Sequence, residues 1–578
     1  MALVRLSVVL LLAAAAAWPQ QWPPQREVPS GPADALYYNG KIVTMWPERP
    51  VVECMTVADG RVLDVGTTQM VGREAGPRTV QINLEGRTVV PGLIDSHVHP
   101  IGAALAESHG KIPVLRSFGD VQAHVERALR QSEGLVFVPK VYSTRLAERR
   151  YPNRWEIDEY SGDRPVMLDN GYAAALNSAA LRAAGITAAT PDPANGKLVR
   201  GARGEPTGLI VGARQLVSSL MASRSFGHKE SVSALRAMQA AYSRVGLTSV
   251  IDRSQRPAGL RAYQQLWRQG DLQVRSYVTR TVNAERPVDE VLAEIDGIGQ
   301  VTGYGDDMLR IGSLKIVLDG GILLGTAYMR APYGTKTQVY GFEDPDYRGV
   351  LRVAPESLLA IVKRAASLGW QMTAHTTGGG STDLLLDAYE AVSREMPIAG
   401  RRFTLTHANF LSGEAIERAA RLGVVADMQP AWYHFDGPAL AQVLGRERMG
   451  RLQPYRSIID AGVVVAGGSD HMIKFDARQA VNPYDPFYGM WMAVTRETAD
   501  GAVFNPEQRI TREEALRMWT WNAAYLSFEE DVKGSLEPGK YADFAILDRD
   551  ILLCPLHELR DTQVLETVLG GRTVFKRD

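Results

Sequence analysis

The sequence predicts an α/β protein: a (β/α)8 barrel carrying a small β-sandwich domain built from both termini, with an insertion after the first barrel strand. Three observations predict it. Short apolar strands alternate with helical stretches through the middle of the chain, the signature of βα units and a parallel sheet. Both ends are instead rich in short β-type runs separated by glycine- or proline-containing turns. Finally, the 578 residues far exceed the roughly 250 of a lone α/β barrel, so further units are required.

Residues 1–17 combine a basic start, an apolar run over 6–17, and small residues at Ala15 and Ala17. That pattern predicts a cleaved signal peptide and an exported protein, periplasmic or secreted. The run is short for a bilayer span. No later segment matches it without charges or glycines, which predicts no stable membrane insertion once the leader is gone. Residues 18–33 are rich in Pro and Gln and read as a linker. From 34 to 88, β-type runs over 35–38, 41–45, 54–57, 61–65 and 79–82 predict one half of a small sheet domain. The same texture returns over 531–578, which predicts the other half.

The segment 89–530 holds the barrel. Its eight strands are expected to begin near Val89, Thr248, Val274, Leu309, Trp370, Arg402, Gly423 and Gly462. More than 100 residues separate the first two, too many for a loop, so about 112–235 reads as an insertion domain. A net charge of −1 carries no basic footprint of a nucleic-acid binder, and 45% apolar content supports a large core. The two cysteines, Cys54 and Cys554, form no CxxC set, which excludes a zinc ribbon. Whether they pair after export is left open.

Polar residues gather at the expected strand ends. Strand one finishes Gly92-Leu-Ile-Asp-Ser-His97-Val-His99-Pro, and period-two geometry puts His97 and His99 on one face. On strand four, Lys315, Val317 and Asp319 share the face opposite Leu314, Ile316 and Leu318. His375, His407 and Asp470 end strands five, six and eight. In a parallel barrel the C-terminal strand ends converge on the active-site face. Singly, each has a plainer explanation: His375 as a bonded core histidine, Asp470 as a helix cap, Lys315 as a snorkelling edge residue. As a set, four of the ten histidines with a lysine and an aspartate point to a metal centre.

The motif Val90-Pro-Gly-Leu-Ile-Asp-Ser-His97-Val-His99 and the later order of ligand residues resemble the amidohydrolase superfamily. Lys315 followed by Asp319-Gly320, then Ser469-Asp470, resembles its amidohydrolase 3 branch, which includes N-substituted formamide deformylases. Asn522-Ala-Ala524 and Gly534-Ser-Leu-Glu-Pro-Gly-Lys540 are similar to that family's tail.

The resemblance implies a role for each residue. His97, His99 and Asp470 would hold one divalent metal, and His375 and His407 a second. Lys315, carboxylated to a carbamate, would bridge the two. Such donors suit two zinc ions, with iron or manganese as alternatives. Metal-bound hydroxide would attack an amide-like small-molecule substrate, and Asp470 would act as general base and then general acid. The implied activity is hydrolysis of a non-peptide C–N bond. Ester, lactone or phosphotriester hydrolysis by the same site, and a non-catalytic regulatory role, stand as alternatives. Homo-oligomerisation is left open.

Two departures from the family pattern fall where substrate chemistry is set. Tyr172 occupies the place of a family histidine, and Thr376-Thr-Gly-Gly-Gly-Ser follows His375 where Gly-Asp is common. The glycine run is expected to be a flexible loop beside the site. Trp432, Tyr433, His434 and Phe435 are candidates for an apolar pocket wall.

Overall fold

The computed structural model describes residues 22–108, 110–131, 133–193, 196–221, 226–341 and 344–578. The expected signal peptide and the start of the linker lie outside the described residues.

The two termini build one sandwich. A four-stranded sheet comes entirely from the N-terminal part: Arg61–Gly66, Cys54–Ala58, Ala33–Tyr38 and Ala75–Asn83, in that order. The facing six-stranded sheet mixes the two ends. Its order is Arg572–Lys576, Val564–Leu569, Phe544–Leu547, Thr88–Pro91, Lys41–Val43 and Val51–Val52. The central seam is the antiparallel pairing of Phe544–Leu547 with Thr88–Pro91. Tyr37, Met55, Val62, Val89, Phe544 and Val568 fill the space between the sheets.

The barrel strands are β1 (Leu93–Val98), β2 (Leu247–Gln255), β3 (Arg275–Thr281), β4 (Leu309–Val317), β5 (Met372–Thr376), β6 (Thr404–His407), β7 (Val425–Met428) and β8 (Val465–Gly467). They hydrogen-bond in sequence order as one parallel sheet. A parallel bridge between Val98 and His471 joins its two edges. Most strand residues are buried on both faces, so these segments read as apolar runs rather than alternating patterns. Outside them, helices turn one apolar stripe inward. In Pro355–Ser367 the buried positions Leu358, Ile361, Val362, Ala365 and Ala366 recur at three- and four-residue spacing.

Two borders differ from the sequence expectation. The run expected to start the barrel at Val89 is divided: Thr88–Pro91 belongs to the sandwich, and only Leu93 onward enters the barrel. Gly92 is the joint. A Cβ there would stand 2.1 Å from Thr248 Oγ1, so the chain crosses β2 where only glycine fits.

The insertion is a five-stranded sheet, ordered Lys197–Arg200, Pro206–Val211, Ala173–Leu176, Val166–Asp169 and Val136–Pro139. Helix His228–Ser243 packs Val232, Leu235, Met238 and Tyr242 into the barrel's core, so a border near 235 would cut through a barrel helix. Amphipathic spacing looks the same in either domain, which is why that border was invisible. Among the described residues no helix is long and apolar enough to cross a membrane.

Candidate metal centre

All six candidate residues face one cavity of about 710 Å³ at the C-terminal end of the barrel strands. His97 lies on β1, Lys315 on β4, His375 on β5 and His407 at the end of β6. His99 follows β1, and Asp470 follows β8. The ring centroids of His97 and His407 are 5.0 Å apart, those of His375 and His407 4.5 Å, and those of His97 and His99 5.2 Å. Asp470 Oδ1 stands 3.1 Å from His99 Nε2 and 3.4 Å from His97 Nε2. One donor atom each from His97, His99 and Asp470 lies within 4.8 Å of the others. Lys315, His375 and His407 surround the same cavity outside that three-atom cluster.

The backbone holds Asp470 against β1. Its N–H donates to His97 O at 2.8 Å, and the neighbouring Ser469 N–H donates to Asp95 Oδ1 at 3.0 Å. Asp470 and His407 both adopt left-handed φ, 55° and 76°. Such conformations are costly outside glycine and gather at functional sites.

Each inner imidazole is aimed by an acceptor behind it. His97 Nδ1 lies 3.0 Å from Asp427 Oδ2, His375 Nδ1 3.1 Å from Asp319 Oδ1, and His407 Nδ1 2.7 Å from Gln429 Oε1. Gln429 spends its amide protons on Asp427, whose backbone and side-chain oxygens lie at 3.0 and 3.1 Å, so its Oε1 is the face turned to His407. Because all three partners accept, Nδ1 carries the proton in each ring and Nε2 keeps its lone pair. This is the supporting arrangement of metal-binding histidines. His97 Nε2 is buried without a hydrogen-bond partner, a cost that a bound cation would remove.

The charge states suit a cation. Burial holds His97 well below the usual imidazole range against the pull of Asp470. Burial, then the neighbouring His375, brings His407 down to about 3. Neutral rings are the metal-binding form. Burial alone would push Asp470 up, but His97, His99 and His407 outweigh it and keep the carboxyl ionised, well below its ordinary range. Lys315 is lowered to about 8, by burial first, with Asp470 opposing and Arg253 adding to the shift. Neutral imidazoles, an ionised carboxylate and an unpartnered Nε2 fit a divalent ion of the zinc type.

Sequence reasoning missed the residues behind the rings. Asp427 is fully buried and takes His97, Ser96 Oγ at 2.7 Å and Arg253 Nε at 3.1 Å. Asp427 and Gln429 are two apart on and just past β7, so period two already placed both on one face. Period two places Asp319 on the face of Lys315, and in the fold it becomes a hub of hydrogen bonds. Its carboxylate accepts from the backbone N–H of Tyr328, Thr377 and Gly378 and from Ser381 Oγ, besides holding His375.

The glycine run is not a flexible loop. Gly378 caps helix Gly379–Glu395, whose first turn is buried. A Cβ at Gly378 would stand 2.1 Å from Tyr328 O, and one at Gly379 2.3 Å from Arg330 Nη1. Glycine serves close packing here, not mobility.

Of the aromatic candidates, Trp432 lines the cavity. His434 turns away, with Nδ1 2.6 Å from Glu497 O and its ring among Phe435, Tyr488 and Trp491. Tyr172 does reach the site, its ring centroid 5.8 Å from that of His375. The insertion also brings Lys140, Asp169 and Arg214 to the cavity wall.

A family model described as "Amidohydrolase family" matches residues 81–575. An N-substituted formamide deformylase of Arthrobacter pascens is 30% identical over 554 residues, spanning 94% of this chain and 98% of the relative. A solved structure of an uncharacterized metal-dependent hydrolase from Pyrococcus horikoshii superposes with a TM-score of 0.68 at 23% identity, covering 90% of this chain and 99% of that one. An atrazine chlorohydrolase from Arthrobacter aurescens, solved with zinc, gives a TM-score of 0.53 at 17% identity over 94% of this chain and 95% of its own. These two structural likenesses speak for the fold alone.

Proposed function

Because the chain belongs to the amidohydrolase family and aligns with an N-substituted formamide deformylase along nearly the whole of both chains, we propose that it cleaves an amide-like C–N bond of a small molecule at the His97–His99–Asp470 centre. The single observation that carries the reading is His97: its ring is fixed from behind by Asp427, and its buried Nε2 is left without a partner beside Asp470.

In this reading His97, His99 and Asp470 would hold one divalent ion, His375 and His407 would serve a second, and Lys315, if carboxylated, would contribute a carboxylate to both. Zinc is the metal of choice, with iron or manganese as alternatives. A bound ion of this kind polarises a carbonyl and lowers the pKa of water toward about 7. Asp470 would move the proton, accepting it from the attacking water and giving it to the leaving nitrogen. Its Oδ1 faces His97 and His99. Tyr172 supplies a neutral hydroxyl beside His375, since burial keeps the phenol protonated far above its ordinary range. That donor takes the role the family histidine would have had toward the substrate's carbonyl oxygen.

Amide cleavage is preferred to ester cleavage because the deformylase relative aligns along nearly its whole length. Metal analysis of purified protein, coupled to matched amide and ester panels, tests this. Turnover of esters with inert amides would overturn the bond assignment, and metal-free active protein would overturn the centre. Export remains part of the proposal, resting on the pattern of residues 1–17. N-terminal sequencing of the exported form should start shortly after Ala17.

A further inference from the structure

The wall opposite the barrel carries a cation that the chemistry above does not use. Lys140 directly follows the insertion strand Val136–Pro139 and lines the cavity. Among the described residues its ammonium has no ion-pair partner. Burial pulls the amine below its ordinary range, with Asp470 and Asp169 opposing and Arg214 adding to the shift. The residue is also held at a left-handed φ of 57°, a conformation that lysine rarely adopts without a structural reason.

The position of the ammonium is informative. A Cβ added at Gly171 would stand 3.6 Å from Lys140 Nζ, so the charge lies against the turn that leads into Tyr172. Tyr172 in turn packs 5.8 Å from the His375 ring. The other charges that the insertion brings to the cavity are Arg214 and Asp169, which pair at 3.2 Å and largely cancel. Among the described residues Lys140 is left with no carboxylate at ion-pair distance, Asp470 and Asp169 acting on it only from further off. An unpaired, half-buried cation is costly unless something anionic arrives to meet it.

We propose that Lys140 is a substrate-binding residue that receives an acidic group, and that the enzyme's substrates are amides bearing a carboxylate near the scissile bond. The proposal rests on the amide-hydrolase reading above. Lysine suits this work as a compact point charge with rotatable donors. The carboxylate would add a charge-assisted hydrogen bond that a neutral amide lacks.

The test uses two compounds that differ only in the acid: N-formylphenylalanine and N-(2-phenylethyl)formamide. With metal-loaded wild type, kcat/KM should favour the acid by about 10- to 100-fold, the range expected for a hydrogen bond to a charged group. Lys140→Met should abolish most of that preference while leaving the neutral formamide within about threefold, and Lys140→Arg should keep part of it. Methionine faces the same backbone φ as lysine, so misfolding is not expected; circular dichroism and metal content on the same samples verify it.

Calorimetric titration of both compounds separates this inference from the reading beneath it. If neither is hydrolysed yet the acid binds about 10-fold tighter and Lys140→Met removes the difference, Lys140 stands and the formamide chemistry falls. If the acid binds to the metal instead, its advantage survives in Lys140→Met, and the proposal is overturned. Equal binding of the two compounds by wild type overturns it as well.

Discussion

Asp427 Oδ2 and His97 Nδ1 meet at 3.0 Å with both side chains shut off from solvent. The carboxylate thereby chooses which nitrogen of His97 is offered to the cavity. It also neutralises Arg253, whose Nε lies 3.1 Å away and whose side chain is fully buried.

Asp427→Ala should therefore fail twice over. Loss of the partner behind a ligating histidine typically weakens metal affinity by about 10- to 100-fold. Stranding the Arg253 charge should cost about 3–5 kcal/mol of stability. Asp427→Asn, which keeps an accepting oxygen, should recover much of the metal affinity. Metal titration and thermal melts of the two variants check both effects. An Ala variant with wild-type affinity would mean that His97 needs no such support.

Asp470 is assigned both ligation and proton transfer, and asparagine separates the two. Asp470→Asn retains a ligating oxygen but cannot take a proton at neutral pH. It should keep most of its metal while losing about 10²–10⁴-fold in turnover. His97→Ala should instead lose metal and rate together. Metal must be measured on the samples used for kinetics. A fully loaded Asp470→Asn enzyme with wild-type turnover would remove Asp470 from the proton's path.

In the proposed centre a carboxylated Lys315 would connect the two halves. With it carboxylated, elemental analysis should find close to two metal equivalents per chain, and apo-protein should need bicarbonate to regain the second. Lys315→Ala should lower both occupancy and activity, and short carboxylic acids should restore part of each. One equivalent that bicarbonate cannot raise would favour a single-ion centre at His97, His99 and Asp470.

Gly378 packs directly against the backbone of Tyr328. Alanine there would press into Tyr328 O at 2.1 Å, against backbone rather than a yielding side chain. Overpacking of this kind costs about 1–3 kcal/mol. The damage should spread to activity, because the Gly378 N–H is one of the bonds holding Asp319 behind His375. Thermal melts and kcat/KM on Gly378→Ala should fall together. A variant that melts like wild type would return this segment to the status of a tolerant loop.

The parts of the site that were legible in the sequence share a physical reason. His97, His99, His375 and His407 sit at the ends of apolar strands, where a polar residue stands out against its neighbours and the direction of the parallel sheet says where it points. The residues behind them do not stand out. Asp427 and Gln429 flank a methionine on a short strand, and the meaning of Asp427 depends on His97, 330 residues earlier. The glycines after His375 misled for a related reason. Composition suggests mobility, whereas the cause is the close approach of Tyr328 from a distant part of the chain. The strand starting near Val89 was visible as a strand, but pairing partners alone decide that it serves two sheets.

The pairing of Thr88–Pro91 with Phe544–Leu547 bears on the order of events during synthesis. The strand that leads directly into His97 and His99 is made among the first hundred residues, yet its neighbour emerges only near the end of translation. A chain halted before Phe544 holds every candidate ligand but leaves the stem of its first ligand strand as an open, apolar edge. The sheet beneath the earliest candidate ligands thus stays unfinished until the last strands arrive.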